Sequence, residues 1–454
     1  MADTASKHID MTTGSLWHNI PLFAFPVAAT SILEQLSNLI ATVIIGNFSG
    51  DQGTLAMAAV GSNVPLTSLM LNLFIGMSLG SNVVIANAIG RNDQNMVKRA
   101  VHTSILMALV GFVVIALGEI FAEPMLAALN VPAETMPLAS LYLRVFLLSL
   151  PSILLYNFEA AIFRSVGITR MPLQALAVST VLNIGLDLIF VPVLHWGVAG
   201  VAIATAIAYT VSAATLFIRL LKTDSVVRVT PRDLAIDPVA LKRIVKIGLP
   251  AGIQSAVFAV AYIIIQSAIN SLGKIVMAAS SAACNIEVFA YDVMNSYNQA
   301  CTTFVGQNYG AGQIRRCRKT LYLCLIEDAV SLGATVALVL LTGRFLLSIF
   351  NNDPQVVALG YDRLKIVFFA YIFSLLYEVM SGYLRGFGIS LVPAALTALG
   401  VCGIRIFWIA VVFPRNPTFR TIMYVYPISL STTALLIFLA LLWFRPAKRA
   451  AERE

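Results

Sequence analysis

The sequence predicts an all-α integral membrane protein with twelve transmembrane helices in two six-helix bundles, related by pseudo-twofold symmetry along the membrane normal. Three observations predict this fold: a low content of charge, apolar runs that recur along the whole chain, and an internal repeat. Only 11% of the 454 residues are charged and 59% are apolar, whereas soluble domains carry about 25% charged residues. Lipid is therefore the expected solvent for most of the protein surface.

Apolar runs between polar or Gly/Pro breaks define the predicted helices. They cover residues 16–48, 55–89, 100–122, 135–163, 172–194, 197–221, 243–271, 276–308, 320–349, 355–384, 389–413 and 421–444. The first run is far longer than the core of a signal peptide, so we expect it to stay as a membrane anchor.

A polar stretch near mid-chain divides these segments into six and six. We expect a cytoplasmic N-terminus (1–15), an N-lobe (16–221), a cytoplasmic linker (222–242), a C-lobe (243–444) and a basic cytoplasmic tail (445–454). With both termini in the cytoplasm, most Lys and Arg residues fall on inner connections, as the positive-inside rule requires. The net charge of +8 is thus a topology signal for a multi-pass protein of the inner (plasma) membrane, and we expect no nucleic-acid partner.

The two halves repeat each other. The stretch from Arg164 to Pro172 aligns with the stretch from Arg385 to Pro393 in its Arg, Gly, Ile, hydroxyl and Pro positions. Three further pairs match at nearly the same separation: Gly90 with Gly310, Arg144 with Arg363, and Pro26 with Pro250. An even number of helices per half keeps both repeats in the same orientation, which is typical of parallel-repeat transporters.

Eight acidic residues fall well inside predicted helices, where a carboxylate costs at least ~2.5 kcal/mol and is a functional candidate by default. They are Glu34, Glu159, Asp187, Glu287, Asp292, Glu327, Asp328 and Glu378. Such a group can exchange a proton or, with amide and carbonyl oxygens nearby, hold Na⁺. The sequence leaves both outcomes open.

Asp187 is the strongest single case. Asn183 precedes it by one turn on the same face, and Pro192 one turn later frees a backbone carbonyl. We expect a cation-coupling site here, with Na⁺ near Asp187 as one form of it; an interhelical hydrogen bond is the alternative. Glu34 and Ser37 share a face of the first segment, where Pro26 supplies a hinge.

The eighth segment carries a polar and aromatic stripe that we expect to contact the substrate: Glu287, Tyr291, Asp292, Met294 and Asn295. A stripe bonded to neighbouring helices is the alternative. We assign Glu378 and Arg405 to the same substrate site, paired with each other or with Glu287. Glu327 and Asp328 are interpreted as ordinary helical residues near the inner leaflet.

Several local motifs resemble the multidrug and toxic compound extrusion (MATE) family, in its DinF-like and MepA-like branch. The resemblance covers essentially the whole chain and is carried by Leu182–Pro192, Gly197–Thr205, Gly306–Gly312 and Leu384–Gly388. It implies export of cationic and amphipathic drugs by alternating access of two lobes, driven by inward H⁺ or Na⁺. It also places Asp187, Asn183 and Thr205 at the N-lobe cation site and Pro26 at a bend of the first helix.

The chain departs from the family at two positions. The family usually has an aspartate in the first helix where this chain has Ala41, in Asn38-Leu-Ile-Ala41-Thr42. Our hypothesis is that Glu34 substitutes for it, or that coupling relies on Asp187 and the C-lobe acids. Phe258 stands where some relatives carry a glutamate, so we do not expect their Na⁺ site.

The sequence thus predicts a secondary active efflux antiporter, monomeric in the lipid bilayer, that exports organic cations in exchange for H⁺ or Na⁺. Enzyme motifs for ATP or zinc are missing, and the histidines and cysteines lack metal-ligand spacing, so we expect no enzyme activity and no cofactor beyond the coupling ion. One alternative is a lipid-linked oligosaccharide flippase of the same superfamily, which would need a cationic cavity. Another is an intramembrane prenyl-transferase-like enzyme, which would need paired acids for Mg²⁺.

Overall fold

A computed structural model describes residues 8–48, 53–129 and 131–451. Helices fill these ranges, and no β-strand occurs within them. Of the predicted cytoplasmic N-terminus and basic tail, residues 1–7 and 452–454 lie outside the described residues.

The described residues of the first half form eight α-helices. They are α1 (Leu16–Phe48), α2 (Gly53–Gly90), α3 (Gln94–Met107), α4 (Val110–Ala128), α5 (Met136–Leu147), α6 (Leu150–Ser165), α7 (Arg170–Phe190) and α8 (Gly197–Lys222). The predicted third segment is one span made of α3 and α4, and the predicted fourth segment is α5 and α6, bent by 45°. Pro151 follows this bend, because a proline is accepted in the first turn of a helix but not in its interior.

In the second half, the part of the chain up to residue 451 forms nine α-helices. They are α9 (Pro238–Asn270), α10 (Lys274–Gly310), α11 (Ile314–Phe350), α12 (Pro354–Gly386), α13 (Leu391–Thr397), α14 (Ile404–Phe407), α15 (Phe419–Met423), α16 (Val425–Phe444) and α17 (Pro446–Ala451). The predicted eleventh segment is an irregular span in which α14 is flanked by the π-helical turns Ala398–Gly403 and Trp408–Val412.

All twelve predicted segments are helical in the structure. Ten spans of the described chain are long and apolar enough to cross a membrane, and the bent pair α5–α6 makes an eleventh. The remaining segment, α10, is 37 residues long but carries the polar stripe that contains Glu287 and Asp292. Many large apolar side chains are exposed, as for Leu341 at 86% exposure, which is the surface that lipid requires.

The chain folds into two compact units. The first is built on Ala29–Val245, and the second on Asp10–Ala28 together with the chain from Lys246 onward. The predicted N-lobe differs from the first unit because the start of α1 packs with the second, through contacts such as the edge-to-face pair Phe23–Phe304. The change of unit falls just after Pro26, one of two prolines inside α1.

The predicted linker is packed against the first unit. Lys98 on α3 forms an ion pair with Asp233 at 2.6 Å, the amide of Thr230 donates to Nε2 of His102, and the amide of Asp237 donates to Oγ1 of Thr103. The hydrogen bond and charge of Lys98 lower the pKa of Asp233. This stretch is therefore an ordered strap on α3.

The backbone shows the internal repeat directly. Gly167 and Gly388 end α6 and α12 with φ of 80° and 81°, a left-handed conformation that glycine adopts without steric cost. In both turns the glycine amide donates to the carbonyl of the arginine three residues earlier, Arg164 or Arg385. The aligned motif is thus the same helix-ending turn in both halves.

Candidate functional site

A buried polar cluster in the first unit contains Asp187. Asp187 has no exposed surface, and neither of its carboxylate oxygens has a hydrogen-bond partner among the described residues. One turn earlier on α7, the amide nitrogen of Asn183 donates to Oγ of Ser37 on α1 at 3.2 Å, while its oxygen is unpaired within the same described set. Three oxygens without donors therefore lie on one face of α7, where they can take a proton or a small cation.

Two other residues predicted for this cluster, Thr205 and Glu34, make their own contacts. The hydroxyl of Thr205 donates to the carbonyl of Val201 within α8 at 3.0 Å. Glu34 interacts electrostatically with Arg164 on α6, next to Tyr156 and Tyr209. The structure thus gives Glu34 a basic neighbour that Asp187 lacks.

Ala41 occupies the position where the family usually has an aspartate. It packs in an apolar cluster with Val191 and Val201, which follow the Asp187 region on α7 and α8. Ala41 supplies no carboxylate here, so Asp187 is the acid beside Asn183 whose oxygens are unpaired among the described residues.

A second acid of the first unit is also sealed. Glu159 on α6 is fully buried, and both of its oxygens are unpaired among the described residues. A buried acid without a base is stable only when it is neutral or holds a cation. The first unit therefore contains two acidic groups, Asp187 and Glu159, in that condition.

In the second unit, Glu287 on α10 forms a buried ion pair with Arg363 on α12. Nε and Nη2 of Arg363 donate to Oε1 and Oε2 of Glu287 at 2.7 and 2.9 Å, and Nη1 donates to Oγ of Ser280 at 2.6 Å. The side chains are only 3% and 6% exposed. Glu287 therefore has a buried basic partner in Arg363.

The predicted pairing of Arg405 with Glu287 or Glu378 is wrong. The guanidinium of Arg405 lies over the ring of Tyr426 at 4.7 Å from the centroid, and its Nε donates to Oγ of Ser429 at 3.3 Å. Arg363 lies over the same ring at 5.5 Å. Tyr426 thus contacts two buried arginines.

Glu378 belongs to a separate buried network. The amide of Asn298 donates to its Oε2 at 2.7 Å, and Arg385 donates to the oxygens of Asn298 and Gln254 at 3.2 and 2.8 Å. Gln254 in turn donates to Thr397 on α13. The network joins α9, α10, α12 and α13. Asn298 links Glu378 to Arg385, because it hydrogen-bonds to both.

Glu327 and Asp328 on α11, which we interpreted as ordinary helical residues near the inner leaflet, are both buried. They are 5% and 0% exposed, and all four of their oxygens are unpaired within the described residues. Tyr297 interacts electrostatically with both, and Asp328 does so with Glu378. These two acids form a second buried acidic pair, next to the Glu378 network.

The other residues of the predicted substrate stripe lie partly in the apolar core of the second unit and partly beside the Glu378 network. Met294 is fully buried in an apolar cluster of α10, α11 and α12, so it is a core residue in this conformation. Tyr291 interacts electrostatically with Glu378, Asn295 is half-buried, and Asp292 is buried.

Sequence reasoning missed Arg363, Arg385, Gln254 and Tyr426. A signal for two of them was present, since Arg144 with Arg363 and Arg164 with Arg385 served as anchors of the repeat. An arginine inside an apolar segment needs a partner, and this applied to Arg363 as it did to the acids.

Comparisons with known proteins agree with this architecture. The MatE family model matches residues 26–189 and again residues 250–411, so each match begins at one of the aligned prolines, Pro26 and Pro250. The chain is 25% identical over 407 residues to the probable multidrug resistance protein YoeA of Bacillus subtilis, with 86% of each chain covered. It is 24% identical over 352 residues to an FAD transporter of Shewanella oneidensis, with 74% of this chain and 77% of that one covered.

A solved structure described as the outward-facing conformation of a multidrug resistance MATE family transporter of the MOP superfamily has the same fold. It superimposes with a TM-score of 0.88 at 22% identity and covers 99% of both chains. Since the family model alone covers well over half of the residues, the chain is a member of the MATE family, the multidrug and toxic compound extrusion transporters, and not an enzyme.

Proposed function

We propose that this protein is a secondary active exporter of amphipathic organic cations, driven by an inward-moving H⁺ or Na⁺ that binds at Asp187. Family membership and the name of the Bacillus subtilis relative support export of small molecules. They favour neither the flippase nor the prenyl-transferase alternative.

One observation carries the proposal. Asp187 is fully buried without a base or a hydrogen-bond donor in the described chain, beside an unpaired oxygen of Asn183. An ionised carboxylate in that setting is expensive at bilayer depth, so a bound proton or Na⁺ stabilises the site.

The free-energy cost of an ionised Asp187 at bilayer depth also couples ion binding to transport. A conformation that exposes Asp187 to the outside takes up the ion, and a conformation that exposes it to the cytoplasm releases the ion. The ion and the cargo shift the conformational equilibrium in opposite directions only if each binds one conformation better. We propose alternating access of the two halves on this basis.

The distribution of basic residues in the sequence supports a membrane location and an orientation for the protein. We place the protein in the inner membrane as a monomer with both termini in the cytoplasm, because the basic residues then fall on inner connections. The strap at Lys98 and Asp233, whose ion pair is half exposed to solvent, suits a cytoplasmic face.

Gradient-driven transport in proteoliposomes tests this proposal. Wild-type protein should accumulate ethidium when either a pH gradient or a Na⁺ gradient is imposed, and the effective gradient identifies the ion. Asp187→Asn should lose at least ~90% of the gradient-driven flux, because the amide cannot take up a proton and binds a cation poorly.

The control is Asp362→Asn, which removes an acid that is half exposed in an ion pair with Lys365 and should keep full activity. Full gradient-driven flux in Asp187→Asn would remove the coupling role of this residue. Ethidium binding by purified Asp187→Asn shows whether the cargo site is intact.

A further inference from the structure

Arg405 is a cation at membrane depth without an acid beside it. Only 7% of its surface is exposed. Its contacts within the described chain are the ring of Tyr426 and Oγ of Ser429. Its two terminal nitrogens donate to no described residue, although each can donate two hydrogen bonds.

The nearby carboxylate is already bound. Both oxygens of Glu287 accept hydrogen bonds from Arg363, in the bidentate geometry that is the strongest pairing of these groups. Around Tyr426 there are thus two guanidinium groups and one carboxylate. This cluster of Arg363, Glu287, Tyr426 and Arg405 has a net charge of +1.

The backbone holds Arg405 in this position by an unusual arrangement. The single α-helical turn Ile404–Phe407 lies between two π-helical segments. Such π-helical turns are rare and occur frequently at functional sites. The span therefore departs from regular α-helix on both sides of Arg405.

We infer that Arg405 is an anion-binding subsite for a carboxylate group of the cargo. A guanidinium offers two parallel N–H donors that match the two oxygens of a carboxylate, and the Tyr426 face fixes its plane. The inference rests on the proposed export of amphipathic cations and adds a chemical class, the zwitterion with a cationic ring system and a free carboxylate.

A matched pair of dyes tests the subsite. Rhodamine B carries a free carboxylate on a cationic ring system, and its ethyl ester replaces that carboxylate with a neutral group that is larger by an ethyl. The dissociation constants of both dyes are measured by fluorescence anisotropy on the purified full-length protein. Wild type should bind the acid better than the ester, and Arg405→Gln should lower this preference about tenfold or more, as expected for loss of a charge-assisted hydrogen-bonded pair.

Two further variants separate chemistry from folding. Arg405→Lys keeps the charge but loses the planar fork, so it should retain part of the preference. Ser429→Ala removes the hydroxyl that accepts from Nε and should lower the preference less than Arg405→Gln. The control is Arg344→Gln, since Arg344 also lies over a tyrosine ring, that of Tyr361, but is exposed; its preference should equal that of wild type.

The outcomes are distinct. A wild type that binds both dyes with a preference unaffected by Arg405→Gln overturns the anion subsite and leaves the proposed export intact. A wild type that neither binds nor exports the two dyes overturns the proposed function and the subsite together. A preference that falls in Arg405→Gln and survives in Arg344→Gln supports the subsite.

Discussion

Arg144 and Arg363 occupy equivalent positions in the two halves, yet their surroundings differ completely. Arg144 is 44% exposed and forms loose ion pairs with Glu119 and Glu123 at 3.8 and 3.3 Å. Arg363 is buried and bidentate with Glu287. Unpaired buried acids occur in both units, at Asp187 and Glu159 in the first and at Glu327 and Asp328 in the second. The repeated scaffold thus differs at this arginine, which is an exposed residue in one half and part of a buried cluster with an excess of cationic charge around Tyr426 in the other.

The largest expected effect comes from breaking the buried pair. Arg363→Gln should destabilise the protein by about 3–5 kcal/mol, because it leaves the charge of Glu287 uncompensated in a buried site. Arg144→Gln should cost only about 0–1 kcal/mol, because exposed pairs are screened by solvent. Thermal unfolding of the detergent-solubilised variants measures the difference.

The double variant Glu287→Met with Arg363→Met serves as the control for this comparison. Replacing both charges with apolar side chains of similar length should recover most of the lost stability. Equal losses from the Arg144 and Arg363 variants would contradict the contrast between the two halves.

A smaller effect distinguishes the two helix-ending turns. Gly388→Ala should cost about 1–2 kcal/mol from the left-handed conformation alone, since nothing lies within 4 Å of the added carbon. Gly167→Ala should cost more, because the added carbon would collide with the backbone of Ile9. Melting temperatures of the two variants give the order, and a larger loss for Gly388→Ala would show that the N-terminal segment is not held against Gly167.

The smallest effect concerns the N-terminal segment before α1. Partial burial raises the pKa of Asp10, but hydrogen bonds from Thr13 and Thr12 outweigh it and lower the pKa to about 2 from 3.8. The ionised Asp10 side chain therefore stabilises this segment fully above about pH 4, and the stabilisation is lost as the pH falls towards 2.

Pepsin cleavage of this segment measures that loss, because the protease is active over the same pH range. Cleavage of wild type should accelerate as the pH falls through this window, relative to a cleavage site elsewhere in the chain. Asp10→Asn should show an elevated rate with little of this pH dependence. An identical pH profile in the two proteins would assign the stability of the segment to Arg316, which donates to the carbonyls of Met11, Thr13 and Gly14.

The fold could be predicted from the sequence because a chain segment in lipid must satisfy its backbone hydrogen bonds internally, and a helix does so. The twelve apolar runs and the repeat follow from that constraint. Breaks within a span were harder to predict, since the bend between α5 and α6 and the π-helical turns around Arg405 depend on packing between helices.

The candidate sites were predictable only in part. Asn183 and Asp187 are four residues apart on one helix, so their proximity follows from helical spacing. Glu287 and Arg363 are 76 residues apart, and no local pattern indicates which of several acids an arginine binds. For the same reason, no local pattern indicates the interaction of Glu34 with Arg164.

Ion release on cargo binding shows whether Asp187 holds the coupling ion. Ethidium is added to purified protein in weakly buffered detergent solution, and the released H⁺ is followed with a pH indicator and the released Na⁺ with a sodium electrode. We expect wild type to release one of these ions on saturation with cargo, and Asp187→Asn to bind cargo and release neither. Equal release by wild type and Asp187→Asn would contradict the assignment of the coupling ion to Asp187.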